Sequence, residues 1–501
     1  MPLRPLIRCC DSPPPQWPRP RASPAALDRL ARPAGLAALL LALTACVSAP
    51  PLAPQSALAL PDHWAATAAV PGGGAADTLG AQWWSRFNDP LLTELIVQAL
   101  QANTSVASAQ AALRQARALR GVAAAGLLPA VGGSASAQRG MAGGHSSGSS
   151  FQAGLDASWE LDLFGARRSA LAGSEATAQA SAANLGQVQV SIAAELALAY
   201  IALRGAQAQQ AIASANLASQ QETLQITEWR MQAGLVTALD TEQARTAAEQ
   251  TAAQLPLLAT RIRQTGHAIA VLTGQSPAVL NTRLASAGPV PRASDSLALA
   301  IPAETLRQRA DVQAAEWQVV AASAQVDQAQ AARAPSFRLG GSLGLSALSL
   351  GALSSGAAVV GSLLAGVSLP VFDGGAGTAQ VQAQQAALAQ AQAAYRASVL
   401  AALKEVEDAL VALAGDQQRQ QRLQRAADAA ALAAQLARQR YDSGLVDFQA
   451  VLDTQRAQFS TQDSLASAST DLGSDQVRLY KALGGGWTAA TVATHTPTSP
   501  S

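Results

Sequence analysis

The sequence predicts a mainly helical protein with a small β part, built as two copies of one unit. Three observations carry that prediction. Alanine, glutamine and leucine dominate the 501 residues, while aromatics make up 4% and charged residues 13%; this composition favours helix and close helix–helix packing over a bulky globular core. Two very long stretches, Ala166 to about Ala233 and Gly375 to about Ser443, contain no proline. Short segments of period-two alternation precede each of them.

The duplication shows as anchors recurring in one order at nearly constant offset. Leu128-Pro129 is matched by Ala334-Pro335, and Phe164-Gly165 by Phe372-Asp373-Gly374. Gly234-Leu235-Val236 returns as Gly444-Leu445-Val446, and Leu272-Thr273-Gly274 as Ala482-Leu483-Gly484. The unit reads helix, strand, loop, strand, very long helix, turn, long helix. The organisation expected from this is a leader over 1–45, an extended segment over 46–82, a first repeat over 83–300, a second over 301–487 and a disordered tail over 488–501.

The first residues form an address. Arg29 and Arg32 flank a short apolar run, Gly35 to Leu43, followed by Leu43-Thr44-Ala45-Cys46. The run is too short to span a bilayer. The four residues have the form of a bacterial lipobox, with cleavage before Cys46 and lipid attached to it. Val47 follows rather than an aspartate, so no inner-membrane retention signal is present. Removing the leader takes six arginines and two aspartates with it and leaves a slight acidic excess.

Each strand is justified by its alternation. Between Phe151 and Leu163 every odd position is apolar, while the even positions hold Gln152, Gly154, Asp156, Ser158, Glu160 and Asp162. Such a run suits a strand with one apolar and one wet face, and is long enough to cross a membrane, which takes about 9–11 residues. Phe337 to Ala347 and Val359 to Val371 repeat the pattern, and Val131 to Gln138 is a weaker, glycine-rich fourth. Four strands cannot close a barrel, and an open edge in lipid leaves backbone groups without partners. Strands that span a membrane here therefore demand an oligomer.

The two proline-free helices would each run about 100 Å at about 1.5 Å per residue, so they must associate laterally. Leu217, Leu224 and Met231 stand at heptad spacing; so do Val381, Leu388 and Tyr395, followed by Leu403 and Leu410. These interrupted heptads suggest coiled-coil-like walls. Pro129, Pro335 and Pro370 stand where strands meet helices.

Several chemistries are excluded by motif. The formal net charge is +1, which is no nucleic-acid footprint. Only Cys9, Cys10 and Cys46 are cysteines, and His63, His145, His267 and His495 match no ligand spacing, so no metal or cofactor is expected. No P-loop and no hydrolase signature occurs, so no enzymatic activity is expected and energy must come from a partner. Glu160 and Asp162 share a strand face but lack the surroundings of a glycosidase pair.

The chain resembles the TolC-like outer-membrane efflux family, specifically the NodT-type lipoproteins of tripartite RND-type pumps. The landmarks are Trp83-Trp84, Phe87, Asp89-Pro90 and Leu95; Trp159 through Gly165; Arg307-Gln308-Arg309-Ala310-Asp311-Val312; Leu369 through Gly375; Lys404 through Leu410; Arg440-Tyr441; Val451-Leu452-Asp453; and Ala482 through Trp487. Ala310 departs from the proline usual there. The resemblance implies a homotrimer with a twelve-stranded transmembrane barrel, four strands from each chain, above a tunnel of helices crossing the periplasm. It implies a passive duct for drugs or other small toxic compounds, docked to a periplasmic adaptor and an inner-membrane pump. Adaptor-contacting tips would fall at Gly234, Leu235, Gly444 and Leu445. The periplasmic aperture would be lined by Tyr441 and Asp453, with the acidic constriction weakened by Ala450 and a basic position replaced by Val446. Expected partners are thus the trimer mates, adaptor, pump and outer-membrane lipid, with no nucleic acid. A protein-secretion or metal-ion efflux duct is the alternative within the class. A surface-anchored coiled-coil lipoprotein is the alternative outside it, and would lack membrane strands and tip turns.

Overall fold

The computed structural model describes residues 64–65, 82–142, 146–293, 306–354 and 359–485. The chain divides into two units, Met1–Ala59 and Leu60–Ser501, and every described residue belongs to the second. The expected leader, Cys46, nearly all of the 46–82 segment and the tail 488–501 lie outside the described residues.

The first half runs α1 (Pro90–Ala102), α2 (Thr104–Ala125), β1 (Ala130–Ala142), β2 (Ser146–Leu161), α3 (Ala166–Gln232), α4 (Ala238–Ala252), α5 (Gln254–Leu272) and the short α6 (Asn281–Leu284). The second half runs α7 (Ala310–Ala331), β3 (Ser336–Ala347), β4 (Val359–Ser368), α8 (Ala376–Asp442) and α9 (Phe448–Ala482). The duplication is therefore real at the level of elements, with α3 and α8 both 67 residues long. α3 packs along α2, α7, α9, α4 and α5; α8 packs along α7 and α9.

Local chemistry sets the boundaries. Asp89 caps α1, its carboxylate accepting from the Leu92 N–H at 3.0 Å, and Pro90 takes the first helical position, where no amide donor is needed. The matched Phe-Gly anchors are strand-to-helix corners. Asp162 accepts from the backbone N–H groups of Arg167 and Arg168 at 3.1 and 2.9 Å. Asp373 does the same for Gly375 and Gly377 at 2.8 and 2.7 Å. Each carboxylate thus satisfies orphan donors at the positive end of a long helix.

The four strands form one antiparallel sheet in chain order, β1-β2-β3-β4. Two strand limits differ from the alternation pattern. β2 ends at Leu161, because Asp162 turns to cap α3. β4 ends at Ser368, two residues before Pro370, which cannot donate to a ladder, and Val371 and Phe372 stand 91% exposed. β1 in turn runs further than its weak alternation indicated, because its whole length is registered against β2, from Ala130 opposite Ser158 to Ala142 opposite Ser146.

The leucine heptad of α3 is a correction. Leu217 and Leu224 are only half-buried and Met231 is exposed, whereas Ala213, Gln220, Thr223 and Thr227 are buried. The Gln455 amide donates to the Thr223 hydroxyl at 3.2 Å across that seam. Small and polar side chains, not leucines, let the helices approach here. In α8 the pattern holds better: Val381 and Leu410 are buried, with Val399, Ala402 and Val406 between them.

The main core sits where the two ends of the repeat pair meet. Trp83, Trp84, Phe87, Leu92, Leu95 and Ile96 pack with Leu196, Tyr200, Ile201 and Leu203 of α3, Ile269 of α5, and Val477 and Tyr480 of α9. Trp83 stacks on Tyr480 with centroids 5.3 Å apart and planes 15° from parallel. The early aromatic landmarks are thus structural. So is Asp89, which also accepts from the Tyr200 hydroxyl at 2.8 Å. Burial, opposed by Arg204 and reinforced by the Asp89 charge, pushes the Tyr200 phenol up to about 12. Arg204 donates to the Tyr200 oxygen, to Gln207 at 2.9 Å and to the Ser286 carbonyl, tying the connector after α6 to α3.

A second knot gathers landmarks far apart in sequence. Arg309 grips Asp311 through two hydrogen bonds of 3.0 and 2.7 Å, and donates to Glu405 at 2.7 Å and to the Ala482 carbonyl at 2.6 Å. Burial pushes the Asp311 carboxyl up, but the Arg309 fork outweighs it and holds the group below its ordinary value. Nearby, Trp64 is buried against Val406, Leu410, Leu479 and Leu483, and the Ala65 N–H donates to Glu407 at 2.7 Å.

Candidate functional site

The two repeated Gly-Leu-Val segments are helical hairpin turns of one design. Two residues past the end of α3 stands Gly234 with φ +72°, and two past the end of α8 stands Gly444 with φ +71°. In the first turn the Gly234 N–H donates to the Met231 carbonyl at 2.9 Å, and Leu235 to Arg230 at 2.8 Å. In the second, Gly444 donates to Tyr441 at 3.0 Å, and Leu445 to Arg440 at 2.8 Å. This is the Schellman pattern, and its left-handed residue calls for glycine. The next helix then starts on a capping residue. Thr237 and Asp240 form a reciprocal capping box, and Asp447 accepts from the Ala450 N–H at 3.0 Å.

In a Schellman motif the residue after the glycine usually packs back on the helix. Here the position it would meet is Arg230 or Arg440, and Leu235 and Leu445 stand 74% exposed. Trp229 and Leu239 beside the first turn are exposed as well. Each chain therefore presents two bare leucines on rigid, well-capped turns.

Behind the turns, Phe448, Val451 and Leu452 of α9 pack on Ala244 and Ala247 of α4, with Leu224 and Tyr441 at the margin. The Tyr441 ring is gripped on two sides. Phe448 lies 5.4 Å away, and the Arg230 guanidinium sits 4.6 Å over the ring centroid. Arg230 also reaches Asp442 at 3.5 Å, and Arg438 pairs with Glu222 at 2.9 Å. These contacts tie the last turns of α3 and α8 together. The Tyr441 hydroxyl is buried without a hydrogen-bond partner.

Asp453 lies on the exposed side of α9. It accepts from the Gln449 amide at 2.9 Å and faces Arg456 at 3.4 Å. No contact joins it to Tyr441, so the two expected aperture residues occupy the same end of the chain but separate surroundings. Arg230 and Asp442 were missed by sequence reading. A cation in the last turn of a helix is an ordinary dipole partner, which hid Arg230.

At the other end, the sheet has two clean faces. The face carrying Phe151, Leu155, Trp159, Phe337, Leu339, Leu343, Leu363 and Val367 is apolar except for Arg139 near the end of β1, and Leu155, Leu343, Leu363 and Val367 are each more than half exposed. The opposite face carries mostly glycine and serine with Asp156, Glu160 and Arg338, broken by Val360 and Leu364 on β4. Among the described residues β1 and β4 each pair on one side only. Trp159 donates its indole N–H to the Leu127 carbonyl at 2.9 Å, tying the end of β2 to the segment between α2 and β1.

Comparison with known proteins completes the picture. The sequence profile described as outer membrane efflux protein matches residues 95–275 and 301–485. The pyoverdine export outer membrane protein OpmQ of Pseudomonas putida is 34% identical over 465 residues, 90% of this chain and 97% of that protein. Outer membrane protein OprJ of Pseudomonas aeruginosa is 32% identical, covering 90% of this chain and 96% of its own. The toluene efflux pump outer membrane protein TtgF of Pseudomonas putida is 31% identical over 81% of this chain and 85% of that protein. Among solved structures, the outer-membrane channel OprN superposes with a TM-score of 0.81 at 37% identity, covering 88% of this chain and 99% of that one. The outer membrane protein VceC of Vibrio cholerae gives 0.75 at 28% identity, covering 81% and 99%.

Proposed function

This chain belongs to the outer membrane efflux protein family and is an outer-membrane efflux duct; from that premise we propose that it works as a homotrimer, passing small toxic compounds outward while docked to a periplasmic adaptor and an inner-membrane pump. The single observation that carries the assembly is the open sheet. Four strands with an exposed apolar face and two half-paired edges suit a membrane only when copies complete one another. Three copies would give twelve strands, within the range of closed membrane barrels.

In this reading Cys46 carries the lipid. Leu235 and Leu445, with Gly234 and Gly444 shaping their turns, meet the adaptor. Tyr441 and Asp453 line the periplasmic aperture, and Arg230 holds Tyr441 in place. The relatives' names speak of pyoverdine, toluene and solvents, chemically unlike cargoes. That diversity favours small molecules as the class and a partner pump as the selector.

The test is complementation in a Gram-negative strain lacking its own duct of this class. Wild type restores low accumulation of a fluorescent efflux dye and runs as a trimer by native mass spectrometry. Leu235→Asp with Leu445→Asp keeps the trimer, abolishes dye efflux and abolishes cross-linking to the co-expressed adaptor. Full efflux in that double variant would remove the tips from the docking surface.

A further inference from the structure

The charged residues on the wet face of the sheet are few and unevenly matched. Among the described strand residues, that face carries Asp156, Glu160 and Arg338 as its only charges. Glu160 stands beside two arginines. Arg167 donates to it at 2.7 Å, and Arg338 stands directly across the ladder from it. Asp156 has no such partner. Its cross-strand neighbours are Gly132 on β1 and Ser342 on β3, and its one polar contact is the Ser134 hydroxyl, donating at 3.1 Å.

Distance keeps the two levels apart. Four residues along a strand are about 13 Å at about 3.3 Å each, longer than the Debye length of about 8 Å at physiological salt. The basic residues at Glu160 therefore leave the field at Asp156 uncancelled. Nor does bulk shield it. Gly132, Gly154, Gly340 and Gly344 surround the carboxylate on the same face, and Ser342 shares a 2.7 Å hydrogen bond with Ser362 one strand further on. Among the described strand residues of that face, Asp156 is the one carboxylate with no arginine bonded to it or opposite it, and it sits in a belt of hydroxyls running across all four strands.

We propose that Asp156 forms, once per chain, a carboxylate ring inside the strand-walled part of the duct that favours inorganic cations and cationic cargo over anions, independently of the helical tips. The proposal rests on the trimeric duct of the preceding section. It assigns the outer segment a charge selectivity of its own, since a ring of carboxylates attracts cations electrostatically. Three unit charges at about 10 Å in water, screened over one Debye length, change the cation-to-anion ratio by about fourfold.

The experiment is the zero-current potential of trimers, verified by native mass spectrometry, in a planar bilayer under a potassium chloride gradient. An Asp453→Asn background removes the carboxylate assigned to the aperture. Asp156→Asn is expected to lower the potassium-over-chloride preference by about fourfold near 0.1 M salt and by almost nothing near 1 M, where the Debye length is about 3 Å. Asp156→Lys is expected to shift the preference further, toward chloride. Conducting trimers whose preference is unmoved by both substitutions at low salt would overturn the ring while leaving the duct intact. Failure of the parent to trimerise, or to conduct even with Arg230→Ala added to loosen the tips, would overturn the duct reading, and the ring with it.

Discussion

Arg230 is the residue whose loss should be felt most at the tips. It stacks over Tyr441 at 4.6 Å and reaches Asp442 at 3.5 Å, so one side chain of α3 holds two neighbouring residues at the end of α8. A half-exposed cation–π contact contributes about 1 kcal/mol, and an exposed ion pair about 0.5. Arg230→Ala thus removes about 1.5 kcal/mol of attachment per chain. If three tips open together, the losses add to about 4.5 kcal/mol, or about a thousandfold in the ratio of open to closed trimers; independent tips would give about tenfold each. Single-channel recording of open probability distinguishes these cases. Arg230→Lys should fall between parent and Ala, because an ammonium lacks the planar stacking surface. Tyr441→Leu should produce much of the same opening, and the double change little more, since the two residues share one contact. Open probability in Arg230→Ala trimers equal to the parent, or strictly additive effects with Tyr441→Leu, would refute the clasp. Glu222→Gln serves as a control: its pair with Arg438 is exposed and should matter little.

Three further outcomes follow from the helical wall. Asp475 is 2% exposed; one carboxylate oxygen takes Arg478 at 2.7 Å, and the other faces Asp416 with no donor. Burial first, then the Asp416 carboxyl, raises its pKa, so its contribution to stability is complete below the ordinary value and is lost as pH rises through the raised one. Asp475→Asn should therefore flatten the pH dependence of trimer melting and raise stability at pH 7 by about 1–3 kcal/mol; a lower melting point at pH 7 would contradict this. Gly234→Ala and Gly274→Ala place a methyl at nearly the same φ, +72° and +71°, but only at Gly274 does it meet backbone, the Ala102 carbonyl oxygen at 2.5 Å. Calorimetry should show a loss of about 1 kcal/mol for the first and at least about 3 for the second. Arg309→Met should destabilise by about 3–5 kcal/mol, because it strands Asp311 and frees the Ala482 carbonyl, whereas Lys404→Met on the exposed neighbouring turn should be close to neutral by the same melting assay.

Much of this architecture was written locally. The Gly-Leu-Val turns were legible because a left-handed helix end leaves few choices of residue, and the duplication let each copy vouch for the other. β2 was legible because strict alternation has one common cause. β1 was harder: after Val131 its apolar face is only Gly133, Ala135 and Ala137, so its pairing with β2 supplies what its own side chains do not. The landmarks Asp89, Arg309 and Trp83 were visible, but their purpose was not. Each works through a partner distant in sequence, Tyr200, Glu405 and Tyr480, and no spacing rule reports such a contact. Arg230 was invisible for the opposite reason, since its position already had an ordinary explanation. Leucine heptads misled in α3, where the close approach is made by Gln220, Thr223 and Thr227.

The stack of Trp83 on Tyr480 also says something about how the molecule is made. One ring belongs to the opening residues of the first repeat and the other to the closing residues of the second, about 400 residues later; contacts of such separation form slowly. Trp83, Trp84 and Phe87 are therefore synthesised long before α9, the last of the helices that cover them. A chain cut short before α9 would keep α1, α3 and α5 for this cluster but lose the cover that Val477 and Tyr480 supply. The stack that finishes the core thus ties its completion to the last helix, a dependence carried by the order of the sequence.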